Sequence, residues 1–384
     1  MITAVGDRNW AMFRHDIARS GSSSSTAPST NNILWCYRST TPWEHFDSSP
    51  AVADGKVYIS GGSDVFCWDA VTGALIWKRR AEFGLFSEPV VADGKVYTGS
   101  GSGLVFCLDA LTGEIIWCGG ENSFGAYPPP APPAVVEGKV YIGATRYANE
   151  RVNKVFCLDA LTGTLIWSYT EEGDERSAWN RDWLSPAVAD GKVYIGSSEK
   201  FFDKVFCLDA LTGTLIWTYT IGDYKDSSSF ILGSCSSPAV VEGKVYMINR
   251  DDKVFCLDAS SGTLISYTIE HLPLDSSLAV VDGKVYIGSC KSVFCLDASS
   301  GTLIWTYTEG DYRDWSSPAV ADGKVYIGSN TAGETDRRKG TKGTVYCFGL
   351  PIPTQTPTMK PTRRQQFKKS REKPRKQKRQ KWLW

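Results

Sequence analysis

Ser185 to Trp217 reads SPAVADGKVYIGSSEKFFDKVFCLDALTGTLIW, and copies of this unit make up most of the chain. Four strands are legible in it. Ala187-Val188-Ala189 is short and apolar, Lys192 to Gly196 alternates around Val193 and Ile195, Lys204 to Leu208 is rich in β-formers, and Thr214 to Tyr219 ends in aromatics. Asp190-Gly191 between the first two strands is the dipeptide of a type I′ hairpin, which needs positive φ at both central residues. Glu137-Gly138 and Glu242-Gly243 replace it in two copies. In the turn Asp209-Ala-Leu-Thr212-Gly213 the Asp and Thr can bond local backbone while Gly takes the left-handed position.

The unit recurs near Pro50, Pro89, Pro133, Pro186, Pro238, Leu278 and Pro318, which makes seven copies. Four antiparallel strands repeated with no amphipathic helix between copies predict an all-β propeller. Its 42% hydrophobic and 12% aromatic content suffices for a core, and no run reaches the roughly 18 to 20 apolar residues of a membrane helix. Met1 to Gly21 carries no hydrophobic signal core.

The overall balance of charge hides an asymmetry. Beyond Leu350 there are 12 Lys and Arg against the single Glu372, so the rest of the chain is acidic by the same margin. The expected organisation is therefore a lead-in with a Ser-rich linker over 1–31, a propeller over 32–350, and a Pro/Thr linker with a basic disordered tail over 351–384. The tail reads either as inert or as a weak polyanion contact. Seven of the 11 cysteines share one repeat position: Cys67, Cys107, Cys157, Cys207, Cys256, Cys295 and Cys347. Such positions should lie too far apart for disulfides and are expected to be small buried hydrophobes. With no Cys-x-x-Cys and three histidines, a cysteine metal site is not expected.

The run Cys207-Leu-Asp209-Ala-Leu-Thr212-Gly213-Thr-Leu-Ile-Trp217 resembles the tryptophan-docking motif of pyrroloquinoline-quinone (PQQ)-like repeat propellers. The resemblance covers Trp10 to Leu350 and implies that each motif Trp clamps its blade to the next, here Trp77, Trp117, Trp167, Trp217 and Trp305. Ser266 stands where a sixth would fall, and cysteine replaces the family's first alanine throughout. Asn32 to Tyr37 resembles a lone fourth strand, whereas the last copy has three, so the two ends should complete one seventh blade with Trp35 as its Trp. The best-known enzymes of the family have eight blades.

Tight turns should then share one face, while the connections that vary between copies share the other, where binding is expected. Candidate ligand contacts on those loops are Trp43, His45, Asp47, Trp179, Arg181, Trp183, Asp223, Tyr224, Asp311, Tyr312 and Trp315. Aromatic rings beside carboxylates and Arg suit a protein, peptide or glycan partner, although the same rings could simply cover the blade tops. Trp183→Ala and Trp315→Ala should weaken binding at little cost in stability, whereas Trp217→Ala should cost roughly 3 to 5 kcal/mol.

No GxSxG, HExxH or Walker motif occurs, and no catalytic residue is assigned. The preferred reading is a non-catalytic, monomeric binding or scaffold module with no cofactor and no metal. The alternative that the resemblance implies is a quinoprotein dehydrogenase holding PQQ and calcium, many of which carry a vicinal cysteine pair that is absent here. Relatives are commonly exported, so an extracytoplasmic or cell-surface location is the expectation from the resemblance.

Overall fold

The computed structural model describes residues 9–350 except 13–14, 17–21, 24, 42–43, 47, 81–86, 101–103, 120–130, 148–150, 172–181, 199–202, 222–236, 249–253, 268–278, 290–291, 298–299, 301, 309–312 and 332–342. Among these residues the chain forms seven antiparallel sheets and no helix. The blade read first from the sequence runs Ala187–Ala189, Lys192–Ser198, Asp203–Asp209 and Leu215–Ile221. Blades 1 to 3 begin at Ala51, Val90 and Ala134, blade 4 at Ala187, and blades 5 to 7 at Ala239, Ala279 and Ala319.

Ring closure is as expected. Blade 7 takes three strands from Ala319–Ala321, Lys324–Thr331 and Gly343–Gly349, and its fourth is Ile33–Arg38, antiparallel to Gly343–Gly349. The first strands of the blades line the axis, and those of blades 7 and 1 are neighbours, which closes the circle.

Turn chemistry follows from the residues that the strands demand. Asp190 and Gly191 have φ of 49° and 69°, and Glu137 and Glu242 take 48° and 49°, so all of these turns have the left-handed geometry of a type I′ hairpin. In the other turn, Asp209 Oδ1 accepts from Leu211 N, Thr212 N and Thr212 Oγ1 at 3.0, 2.8 and 2.9 Å. A one-residue bulge at Ile216 shifts the register between Cys207 and Leu208. Leu215 and Ile216 consequently both face solvent, while Trp217 turns towards the next blade.

The core lies between blades rather than within any one of them. The phenolic hydroxyl of Tyr141 and the indole N–H of Trp167, both from blade 3, donate to the same acceptor, Ala210 O of blade 4, at 3.0 and 3.2 Å. The same pairing joins Tyr58 and Trp77 to Ala110 O, Tyr97 and Trp117 to Ala160 O, and Tyr194 and Trp217 to Ala259 O. At the closure, Ala70 O receives Tyr326 of blade 7 and Trp35 of the N-terminal strand. Both lone pairs of each carbonyl are thereby used, which a buried acceptor requires.

The repeat cysteines fit the expectation of buried, unpaired thiols. Each stands opposite its blade's tyrosine, as Cys157 does Tyr141. Burial pushes the thiols up, to about 12 for Cys67, Cys157, Cys207 and Cys347 and about 11 for Cys107 and Cys295.

Two expectations change. The Ser-rich stretch after the lead-in is docked where it is described. Ser22–Ser23 pairs parallel with Ala279–Val281, Asp322 N donates to Ser25 Oγ at 2.9 Å, and Tyr286 Oη donates to Pro28 O at 2.6 Å. That last bond replaces the docking turn that blade 7 lacks. For the same reason Trp305, although buried between Tyr286 and Phe348, has an indole N–H with no partner. Trp305 therefore clamps its seam by packing alone.

Candidate functional site

The two ends of the axis differ. At the tight-turn end the lead-in crosses the free edges of the innermost strands: Trp10 exchanges two 2.7 Å backbone hydrogen bonds with Val52 of blade 1, and Val91 N of blade 2 donates to Ala11 O at 2.7 Å. An inner strand has no partner on its axial side, so these bonds satisfy backbone groups that would otherwise face the channel. The same segment reaches the Asp-Gly turns of blades 1 and 7 through Asn9 Oδ1 to Asp54 N and Thr26 O to Gly323 N. Trp10 is 2% exposed and Met12 6%.

At the other end, six of the seven inner strands are entered through a proline, which has no N–H to leave unpaired at the edge, and blade 6 has Leu278 at that place. The residues just before those prolines form a rim of Ser49, Glu88, Pro132, Ser185, Ser237 and Ser317. Ser185 N of blade 4 donates to Ser237 Oγ of blade 5 at 3.1 Å, so adjacent rim positions are within hydrogen-bond reach. One place earlier, Ser87 and Ser316 pin the second strands, accepting at Oγ from Gly99 N and Gly328 N at 2.9 Å. The rim holds four serine hydroxyls, the Glu88 carboxylate and Pro132; Ser49 and Ser185 are buried, and Glu88, Pro132, Ser237 and Ser317 are half-buried.

Behind the rim, bulky residues of the incoming loops fill holes left by glycines. Phe46, fully buried, lies against Gly61 of blade 1 and Gly328 and Gly343 of blade 7, where an added Cβ would come within 2.7 Å of Phe46 atoms. Its amide donates to Asn330 Oδ1 at 2.7 Å. Next to it, Glu44 accepts from Ser39 Oγ at 2.6 Å and pairs with Lys78, which also reaches Asp64 at 3.1 Å. Burial opposes ionisation of Glu44, but the bonds from Lys78 and Ser39 outweigh it and hold the carboxyl below the usual range.

Of the sequence-predicted contacts, Trp43, Asp47, Trp179, Arg181, Asp223, Tyr224, Asp311 and Tyr312 lie outside the described residues. Trp315 is placed by its backbone, in the strand Arg313–Trp315 that pairs with the second strand of blade 7. His45 is half-buried beside Phe46. Trp183 differs from the expectation of a cheaply removed surface ring: it is 6% exposed, edge-on to Phe206 at 5.4 Å and seated over Gly143 of the preceding blade. Its removal carries the packing penalty of a core Trp, about 3 to 5 kcal/mol. The rim serines were missed in the sequence because Ser-Pro reads as ordinary turn punctuation, although its recurrence before inner strands was visible.

A resident calcium and quinone would need six to eight oxygen ligands around the metal. The described rim offers serine hydroxyls and the Glu88 carboxylate, and the loop carboxylates Asp47, Asp223 and Asp311 lie outside the described residues. Among the described residues no three His, Cys, Asp or Glu side chains come together as a metal site.

Residues 19–170 and 256–345 match the family model described as outer membrane protein assembly factor BamB. In structure the chain is similar to a europium-containing methanol dehydrogenase, at 14% identity over 89% of this chain and 98% of that one, TM-score 0.63. It is also similar to the quinohemoprotein alcohol dehydrogenase ADHIIG of Pseudomonas putida HK5, at 16% identity over 90% and 82%, TM-score 0.68. BamB from Moraxella catarrhalis aligns at 16% identity over 83% and 99%, TM-score 0.49. Identities this low speak to fold alone. No curated protein sequence matches the chain.

Proposed function

The chain belongs to the PQQ-like repeat β-propeller family, matched through its outer membrane assembly factor branch, and on that premise we propose that it is a non-catalytic binding or scaffold module whose partner engages the loop face. The observation that carries this reading is the asymmetry of the axis. The lead-in occupies inner-strand edges at the tight-turn end, whereas the opposite end carries the half-buried hydroxyls of Ser237 and Ser317 and the Glu88 carboxylate, at the entry to the inner strands where the connections vary most in sequence between copies. Hydroxyls and one carboxylate hydrogen-bond peptide backbone or sugar hydroxyls without imposing a strong charge. The aromatic and charged residues of the loops, Trp43, His45, Asp47, Trp179, Arg181, Asp223, Tyr224, Asp311, Tyr312 and Trp315, are assigned as the partner's contacts, and the buried Trp183 is left out of them.

No helix among the described residues is long and apolar enough to cross a membrane. An extracytoplasmic location and a protein partner are proposed from the family model's description. Adding PQQ and calcium to the purified chain and recording the cofactor's absorbance tests the non-catalytic reading. An unchanged spectrum is expected, and stoichiometric uptake with dye-linked alcohol oxidation would overturn it. Cross-linking through a photoreactive residue placed at the half-buried Ser317 and at the exposed Asp54 tests the face: partner adducts are expected from Ser317 only, and adducts from Asp54 alone would reverse the assignment.

A further inference from the structure

Bulky apolar side chains stand in solvent along the outer edge of the ring. The fourth strands of blades 1 to 6 each open on an exposed apolar pair, from Leu75-Ile76 to Leu303-Ile304. Each of these strands is also the last of its sheet among the described residues, so alternate main-chain N–H and C=O groups point outwards. Blade 6 shows which residues these are, because Asn31 Nδ2 donates to Thr306 O at 2.9 Å. The matching residue of blade 4 is Thr218. Thr218 and, two places on, Thr220 therefore aim their main chain outwards, and both residues are exposed.

An edge strand is ordinarily blunted by charge, by a break or by a cover. Exposed Lys78 and Arg80 do this on blade 1 and exposed Arg38 on the closing strand of blade 7. The blade 2 strand ends in Gly119, that of blade 5 is short, and Asn31 sits on that of blade 6. Leu215–Ile221 of blade 4 carries none of these devices. It is seven residues long, the sequence from Ala210 to Gly222 holds no charged residue, and Leu215 and Ile216 are 40% and 44% exposed. An uncharged, exposed strand edge of this length is a template for another strand.

We propose that the outer strand of blade 4 pairs antiparallel with the same strand of a second copy of this chain, across a two-fold axis at Thr218. The residues set the register. Thr218 faces its own counterpart, so the outward main-chain groups of the two strands meet in pairs and hydroxyl meets hydroxyl. The exposed Leu215-Ile216 pair of one copy then lies beside Thr220-Ile221 of the other, and no charge of either strand enters the contact. The same register on blade 3 would set Glu171 beside Leu165-Ile166, which favours blade 4. Unpaired main-chain groups call for a strand rather than a helix or a lipid surface, and the second copy is a strand whose pattern is self-complementary. The contact lies on the outer circumference, is independent of the loop-face reading, and replaces the monomer expected from the sequence.

Sedimentation velocity of the full chain, followed up a concentration series to the submillimolar range, should show a reversible equilibrium between monomer and dimer. Thr218→Lys puts like charges face to face across the axis and should weaken self-association roughly tenfold or more, with the melting temperature of dilute protein unchanged. Ser168→Lys, the same change on blade 3, should leave self-association intact. A second readout does not depend on these variants. With Cys36, Cys118, Cys235 and Cys290 changed to Ser, Thr218→Cys should give a disulfide-linked dimer on mild oxidation, because Cα atoms of a hydrogen-bonded antiparallel pair lie about 5.5 Å apart. A chain that stays monomeric throughout, self-association that survives Thr218→Lys or is abolished by Ser168→Lys, or the absence of the disulfide-linked dimer would each overturn the assignment.

Discussion

Two donors share one carbonyl at five of the seams, and this makes their removal strongly non-additive. Take the acceptor Ala210 O, bonded by Tyr141 Oη at 3.0 Å and Trp167 Nε1 at 3.2 Å. Tyr141→Phe removes one donor and leaves the acceptor satisfied by the other, so it should cost about 0.5 to 1.5 kcal/mol. Trp167→Phe keeps an aromatic ring over Gly213 and removes the second donor, with a similar loss plus the smaller ring's packing deficit. The double variant strands a buried carbonyl with no partner, a penalty of about 1 to 3 kcal/mol that neither single variant incurs. Its total should therefore exceed the sum of the singles by roughly that amount. Denaturant midpoints of the four proteins measure the cycle. A double variant equal to the sum, within about 0.5 kcal/mol, would show that the shared acceptor is not what couples the seam.

Deleting residues 1–38 removes the closing strand, Trp35 and the segment bonded to the inner strands, and should lower stability by several kcal/mol; a truncated chain that melts with the parent would refute the closure. Asp69, Asp109, Asp159, Asp209 and Asp258 are held below the usual carboxylate range by backbone and hydroxyl donors of their turns, Asp258 at about 2. Because these folded-state values lie below the unfolded value of about 4, their contribution is present above about pH 4 and is lost as the pH falls towards 2. Thermal melts should accordingly fall across that window, modestly because these carboxylates are exposed to solvent, and Asp209→Asn should reduce the fall. Thiol titration of the native chain should modify the exposed Cys36 first, Cys118 more slowly because desolvation raises its thiol, and Cys67, Cys107, Cys157, Cys207, Cys295 and Cys347 only on unfolding. Fast labelling of these six would mean that the seams open freely.

Strands, turns and blade number were legible in the sequence because each is decided within a few residues. Alternation sets a strand's faces, Asp-Gly sets a positive-φ hairpin, and Asp-x-x-Thr-Gly bonds its own backbone; even the closure followed from counting a three-strand end against a lone Asn32 to Tyr37 strand. What joins the blades was legible only as a list of residues. That Tyr141 and Trp167 meet on one carbonyl depends on placing residues 69 and 43 positions from their acceptor side by side, which the ring geometry does and no local pattern encodes. The N-terminal segment escaped for a related reason: it binds inner-strand edges largely through main-chain N–H and C=O groups, which every sequence possesses, so composition suggested a free linker. Trp183 and Phe46 show the same limit from the other side. Their rings are buried because glycines 40 and hundreds of residues away leave holes for them, and a loop aromatic facing solvent has the same sequence as one filling such a hole.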